Sequence, residues 1–98
     1  MPIQHTVVFR LVHDGGSAAE ADFLDSAVTE LSRIPGVADF VVNRQVGAKS
    51  DLEWQFSMMF TDQQAYDAYT AHPAHVAFVR DRWQSEVAEF HELDFVPR

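Results

Sequence analysis

Tyr69, His72, Pro73 and His75 lie within seven consecutive residues and include three side chains able to transfer or share a proton. Proline suits the first position of a helix, where an N–H would have no partner. It also disfavours helical geometry in the residue before it, so one helix must end near His72 and a second must open at Pro73. His75 then falls in the first turn of the new helix, where the positive end of the backbone dipole opposes an imidazolium. The neutral imidazole that results is what a general base requires. Tyr69 lies one turn before the break. Its phenol can hydrogen-bond a carbonyl oxygen and steady the enolate left when a neighbouring proton departs. Tyr69 and His75 are therefore the expected catalytic pair.

Other reactive residue types have plainer readings. His72 occupies a capping position and is expected to bind a backbone amide. Tyr66 and Tyr69, three residues apart on a short helix, also suit a core in which each hydroxyl finds water or a carbonyl. His5 stands among apolar neighbours, on the helix-facing side of its strand, where it can approach the same hollow as His75. Asp22, Asp25 and Glu30 mostly line the outer face of a helix and read as solvated charge. His91, Glu92 and Asp94 suggest a metal only until strand alternation is applied, which puts His91 on the opposite face from the two acids. Gly15-Gly16 reads as a turn, with no phosphate cradle, serine elbow or H-E-x-x-H elsewhere. Neither a cofactor nor a metal is expected.

The elements that must position these residues follow from periodicity. Residues 3–13 alternate as a strand, with Ile3, His5, Val7, Phe9 and Leu11 on one side. Ser17 and Glu20 form a capping box ahead of a stripe at Phe23, Leu24, Ala27, Val28, Leu31 and Ile34, which Pro35-Gly36 ends. Residues 37–46 read as a second strand with Ala38, Phe40, Val42 and Val46 on one face. Residues 52–60 read as a third, with Leu52, Trp54, Phe56, Met58 and Phe60 aligned. Thr61 and Gln64 resemble a second capping box before the helix that carries Tyr66 and Tyr69. Val76, Val79, Trp83 and Val87 continue at helical spacing beyond Pro73, and residues 88–96 read as a fourth strand. The order β-α-β-β-α-α-β makes a single α+β domain over 1–98, a four-stranded, mainly antiparallel sheet with helices on one face.

Composition narrows the classes. The chain has 98 residues, 47% of them hydrophobic, enough for a core of its own. With no cysteine, disulfides, thiolate metal sites and thiol catalysis are excluded. Such a composition fits a reducing cytoplasm, the expected location. Fifteen acids against seven bases give a net charge of −8, which repels phosphate backbones, so nucleic acid is not an expected partner. No apolar run is long enough to span a membrane, and the first residues lack the pattern of a signal peptide. The sheet face away from the helices carries Thr6, Val8, Val12, Ser57 and Met59, too apolar for a wholly solvated surface. A second copy of the sheet is the natural cover, so a homodimer is expected.

The whole chain, over residues 3 to 97, resembles the Dabb family of dimeric α/β barrels, the stress-responsive A/B barrel domains. The opening Ile3-Gln4-His5-Thr6-Val7-Val8-Phe9 is similar to that family's first strand. Leu31-Ser32-Arg33-Ile34-Pro35-Gly36-Val37 is similar to its helix-to-strand turn. Tyr69-Thr70-Ala71-His72-Pro73-Ala74-His75, followed by Phe78-Val79, resembles its most recognisable motif. The resemblance implies a ferredoxin-like half-barrel that dimerises into an α/β barrel. In one branch, which contains the plant olivetolic acid cyclase, the tyrosine and second histidine of the motif perform cofactor-free aldol cyclisation of a polyketide. They match Tyr69 and His75, and a cavity-lining histidine of the first strand matches His5. That branch has a tyrosine where this chain has Ala27 and a histidine where it has Trp54, so the pocket lining differs.

Three functions remain open on the sequence. The first is a cofactor-independent, polyketide-cyclase-like enzyme acting on a small apolar carbonyl compound, with His75 and Tyr69 catalytic and His5, Trp54, Phe56 and Ala27 lining the substrate site. The second is a non-catalytic stress-related or ligand-binding domain whose cavity lacks a reactive pair or is filled by Trp54, Phe56 and Tyr69. The third is a haem-handling or quinone-oxidising monooxygenase, work done by related half-barrel dimers.

Overall fold

A computed structural model describes residues 1–98. Strand β1 (Ile3–Leu11) leads to helix α1 (Ala18–Leu31), then β2 (Ala38–Arg44) and β3 (Trp54–Phe60). Helix α2 (Gln63–Ala71) and helix α3 (Pro73–Phe78) follow. A π-helical turn (Val79–Trp83) and the short α4 (Gln84–Glu86) carry the chain into β4 (Val87–Phe95). The sheet runs β2-β3-β1-β4, and every adjacent pair is antiparallel. No helix is long and apolar enough to cross a membrane.

Helix α1 forms where expected. The Ser17 hydroxyl accepts from the Glu20 N–H, and the Glu20 carboxylate returns to the Gly16 N–H, one residue before the usual reciprocal partner. The other Glu20 oxygen receives the Trp54 indole N–H at 3.4 Å, which ties α1 to β3. At α2 the cap is Asp62 rather than Thr61. The Asp62 carboxylate accepts from the Ala65 N–H at 2.8 Å, and an ionised acceptor there bonds more strongly than a hydroxyl.

The second strand departs from simple alternation. Ala38 pairs with Met59 and Val41 with Ser57, so β2 spends one extra residue on that stretch. The bulge includes Asp39 at φ 54°, and it sends Ala38 and Phe40 to opposite faces. The expected Ala38–Phe40–Val42–Val46 face is therefore broken. Phe40 and Val42 pack on the core, while Val46 lies past the strand end and is 91% exposed.

The core lies between the sheet's odd-numbered β1 face and the helices. Phe9, Phe23, Phe56, Met58 and Phe60 are its largest fully buried side chains. The Phe9 and Phe56 rings meet edge to face at 4.6 Å between centroids. At about 1.5–3 kcal/mol for each large side chain removed from water, these residues dominate the driving force. Phe60 lies opposite Ile3 and Phe9 opposite Trp54, so the sheet's share of these side chains spans most of β1 and β3 on the side that α2 and α3 roof.

Candidate active site

Beneath that roof lies a cavity of about 280 Å³, at the small end of ligand pockets. Ten of its fourteen lining residues are hydrophobic. Its polar groups are Tyr69 and Tyr66 from α2, Thr70, His75 from α3, His5 from β1 and Glu92 from β4. The π-helical turn adds Val79 and Trp83, which lie four residues apart on one side of the helix.

Tyr69 and His75 meet across the helix break. Their ring centroids are 4.6 Å apart and their planes inclined at 49°. The break is built as anticipated: Pro73 opens α3, and His72 Nδ1 accepts from the Ala74 N–H at 3.0 Å. His75 Nδ1 lies 3.0 Å from the Thr70 carbonyl, which can only accept, so Nδ1 carries a proton and Nε2 keeps the lone pair. Burial holds this imidazole below the ordinary histidine value, and the neighbouring His5 pushes the same way. The Thr70 hydrogen bond and Glu92 push back without prevailing. Burial is a cause that the sequence did not show, acting on a histidine in the first turn of the helical stretch that Pro73 opens. Tyr69 is 2% exposed, and its hydroxyl has no hydrogen-bond partner in the protein. Burial foremost, and then Glu92, raises the Tyr69 phenol well above its ordinary range, so it stays a donor.

His5 belongs to a second cluster. Its Nδ1 is 2.6 Å from Asp94 Oδ1, and Tyr66 donates to Asp94 Oδ2 at 3.0 Å. The same tyrosine oxygen lies 3.0 Å from His5 Nδ1. Burial foremost, then the Asp94 bond, raises the Tyr66 phenol as well. Sequence reasoning missed Tyr66, Glu92 and Asp94 as site residues. Alternation already placed Glu92 and Asp94 on one face; what was lacking was the β1–β4 register, which sets Val7 opposite Glu92 and His5 opposite Asp94.

Two proposed lining residues lie elsewhere. Ala27 is fully buried inside the core and does not reach the cavity, and Trp54 is held toward α1 by Glu20. Phe56, His5, Tyr69 and His75 do line it. No three histidine, aspartate or glutamate side chains are grouped to hold a metal ion.

Comparison with known proteins places this arrangement. The family model of the stress responsive A/B barrel domain, Dabb, matches residues 3–97. A crystal structure of a Dabb family protein with a ferredoxin-like fold from Mesorhizobium loti is 52% identical. It superposes with a TM-score of 0.98 over 99% of this chain and 97% of that one. A dimeric ferredoxin-like protein of unknown function from Thermobifida fusca is 20% identical, at TM-score 0.76 over 99% and 92% of the two chains. The hydroxynitrile lyase of Passiflora edulis is 14% identical, at TM-score 0.80 over 99% and 94%. No curated protein matches the sequence. With a ferredoxin-like fold and a family match that spans nearly its whole length, the chain belongs to the Dabb family of stress responsive A/B barrel domains.

Proposed function

We propose that this protein is a cofactor-independent acid–base enzyme acting on a small, largely apolar carbonyl compound, with polyketide-like chains as the model substrate. The observation that carries the reading is the pairing of Tyr69 and His75 at 4.6 Å on the wall of a mainly apolar cavity. His75 Nε2 takes a proton from the carbon next to the carbonyl. The C–H electron pair moves onto the carbonyl oxygen, where the Tyr69 O–H supports the enolate. The enolate carbon then recovers a proton from His75 or, where the compound carries a second carbonyl, attacks it, and the new alkoxide recovers the proton from His75. The fold also hosts a hydroxynitrile lyase, a precedent of scaffold rather than of site.

The working unit in this proposal is a homodimer joined through the sheet face opposite the helices. On that face Leu93 and Phe95 are about half exposed, and Val41 is 44% exposed. Near them Gln55 donates to Thr6 and Gln4 to Ser57, while Arg10, Glu89 and His91 occupy the other end of the face. The apolar part around Leu93 and Phe95 is what a second sheet can cover.

The test is a turnover screen of short polyketones and aryl ketones by mass spectrometry and by exchange of the α-hydrogens in D₂O. Exchange that is lost in both His75→Gln and Tyr69→Phe supports the mechanism. Exchange that survives both substitutions refutes it. Saturable binding without exchange or product assigns the cavity to a binding domain instead.

A further inference from the structure

Every side chain that lines the cavity is either neutral, an imidazole, or the carboxylate of Glu92; neither arginine nor lysine is among them. Three of the chain's arginines are paired away from the cavity, Arg10 with Asp51 and Glu89 on the opposite sheet face, Arg80 with Asp81, and Arg82 with Asp22 and Glu86. Glu92 sits on the helix-facing side of β4, opposite Val7, at the solvent edge of the hollow. Its charge reaches both reactive groups, raising the Tyr69 phenol and opposing the depression at His75. Asp94 stands two residues further along the same face, behind His5. An anionic ligand would therefore lose hydration without gaining a cation, and would meet a carboxylate at the entrance.

Shape adds to this. Phe56, Tyr66, Tyr69, Phe78, Trp83 and Phe90 all face the cavity. Flat rings offer such walls more contact than a saturated chain does. At roughly 30 Å³ per liquid water, the cavity's 280 Å³ holds on the order of ten non-hydrogen atoms.

We infer that the ligand is an uncharged aromatic carbonyl compound of about benzene-plus-carbonyl size, and that Glu92 excludes the corresponding carboxylate. This inference rests on the proposed function and specifies its substrate class. Carboxylic acids, phosphate esters and other anions of the same bulk are poor ligands.

Acetophenone, benzamide and benzoate share nearly the same outline and differ in charge, which makes them a matched set. Binding to the full chain is measured by calorimetry or ligand-observed NMR at pH 8, where ordinary histidines are neutral. The expected result is binding of the two neutral compounds and at least tenfold weaker binding of benzoate. Glu92→Gln, a surface substitution, narrows that ratio to less than threefold. Benzoate binding as tightly as acetophenone, or a ratio unchanged in Glu92→Gln, overturns the inference and leaves the acid–base proposal standing. Binding of none of the three overturns the carbonyl-site reading itself, and this inference with it.

Discussion

Asp94 faces His5 directly across the β1–β4 ladder, with Oδ1 2.6 Å from Nδ1. A carboxylate can only accept, so Nδ1 is the protonated nitrogen and Nε2 is free to act as acceptor. Tyr66 donates to the second carboxylate oxygen and so fixes the pair's geometry. Asp94→Asn keeps the shape and removes the charge. It is expected to cost about 1 kcal/mol by urea unfolding, below the usual range for a hydrogen bond to a charged group because Asp94 is nearly half exposed. Imidazole nitrogen chemical shifts should show His5 losing its single tautomer. A single tautomer retained in Asp94→Asn would show that Asp94 does not set it.

Tyr69→Phe separates catalysis from stability. The Tyr69 hydroxyl makes no hydrogen bond in the protein, so its removal leaves no partner unsatisfied. Unfolding free energy should stay within about 0.5 kcal/mol of the parent. Turnover should fall about 10²–10³-fold, the usual effect of losing one donor to a developing oxyanion. A loss of stability above that bound would mean that the hydroxyl has a structural role.

The titrations have definite signs. The His75 value is depressed in the fold, chiefly by burial, so the unfolded chain binds the proton more tightly. Its contribution to stability is complete above the ordinary histidine value near 6.5 and is lost progressively as pH falls below it. The acidic limb of kcat/KM, which reports the free enzyme's base, should likewise lie below about pH 6.5. Tyr66 and Tyr69 behave oppositely. Their folded phenols are raised, so their contribution is complete below the ordinary value of 10.0 and declines as pH rises beyond it. Ultraviolet titration of phenolate should show both tyrosines un-ionised at pH 10 in the folded protein. An acidic limb above 6.5, or early phenolate absorbance, contradicts the buried site.

Gly36 is required by backbone geometry where α1 hands over to β2. Its φ is 92°, a region that L side chains rarely adopt, and an added Cβ would lie 3.7 Å from that of Ala65. The contact is ordinary, so the cost of Gly36→Ala is conformational and should be about 1–2 kcal/mol by denaturant unfolding. A neutral effect would show that the turn relaxes.

The fold was legible wherever pattern and geometry share one period. β1, α1, the α2–α3 break at Pro73 and β3 all appear in the apolar spacing, and His72 was recognisable as a cap. The β2 bulge was not, because one inserted residue reverses alternation without marking itself in the sequence. Site residues divide the same way. Tyr69, His75 and His5 are reachable from local context, whereas Tyr66 and Asp94 become partners of His5 only through packing between elements about sixty and ninety residues apart. Ala27 and Trp54 were placed in the pocket by correspondence with another branch of the family. In this chain a small alanine seats deep in the core, and Glu20 draws the indole toward α1.

The proposed dimer is testable through two residues that the monomer has no other reason to expose. Leu93 and Phe95 alternate with the site-facing Glu92 and Asp94 on β4, opposite Thr6 and Gln4, so they point away from the cavity. Phe95 is 49% exposed and Leu93 51%. Burying them against a second sheet would contribute a few kcal/mol at about 25 cal/mol per Å², whereas a charge placed there would be trapped unpaired in the interface. Light scattering after size exclusion at micromolar concentration should give twice the 11.1 kDa chain mass. Leu93→Arg with Phe95→Arg should shift it to the single-chain mass while circular dichroism keeps its shape, because neither side chain touches the core on the other face. A parent protein that already runs at 11.1 kDa would remove the dimer and leave the site proposal intact, since every cavity group comes from one chain.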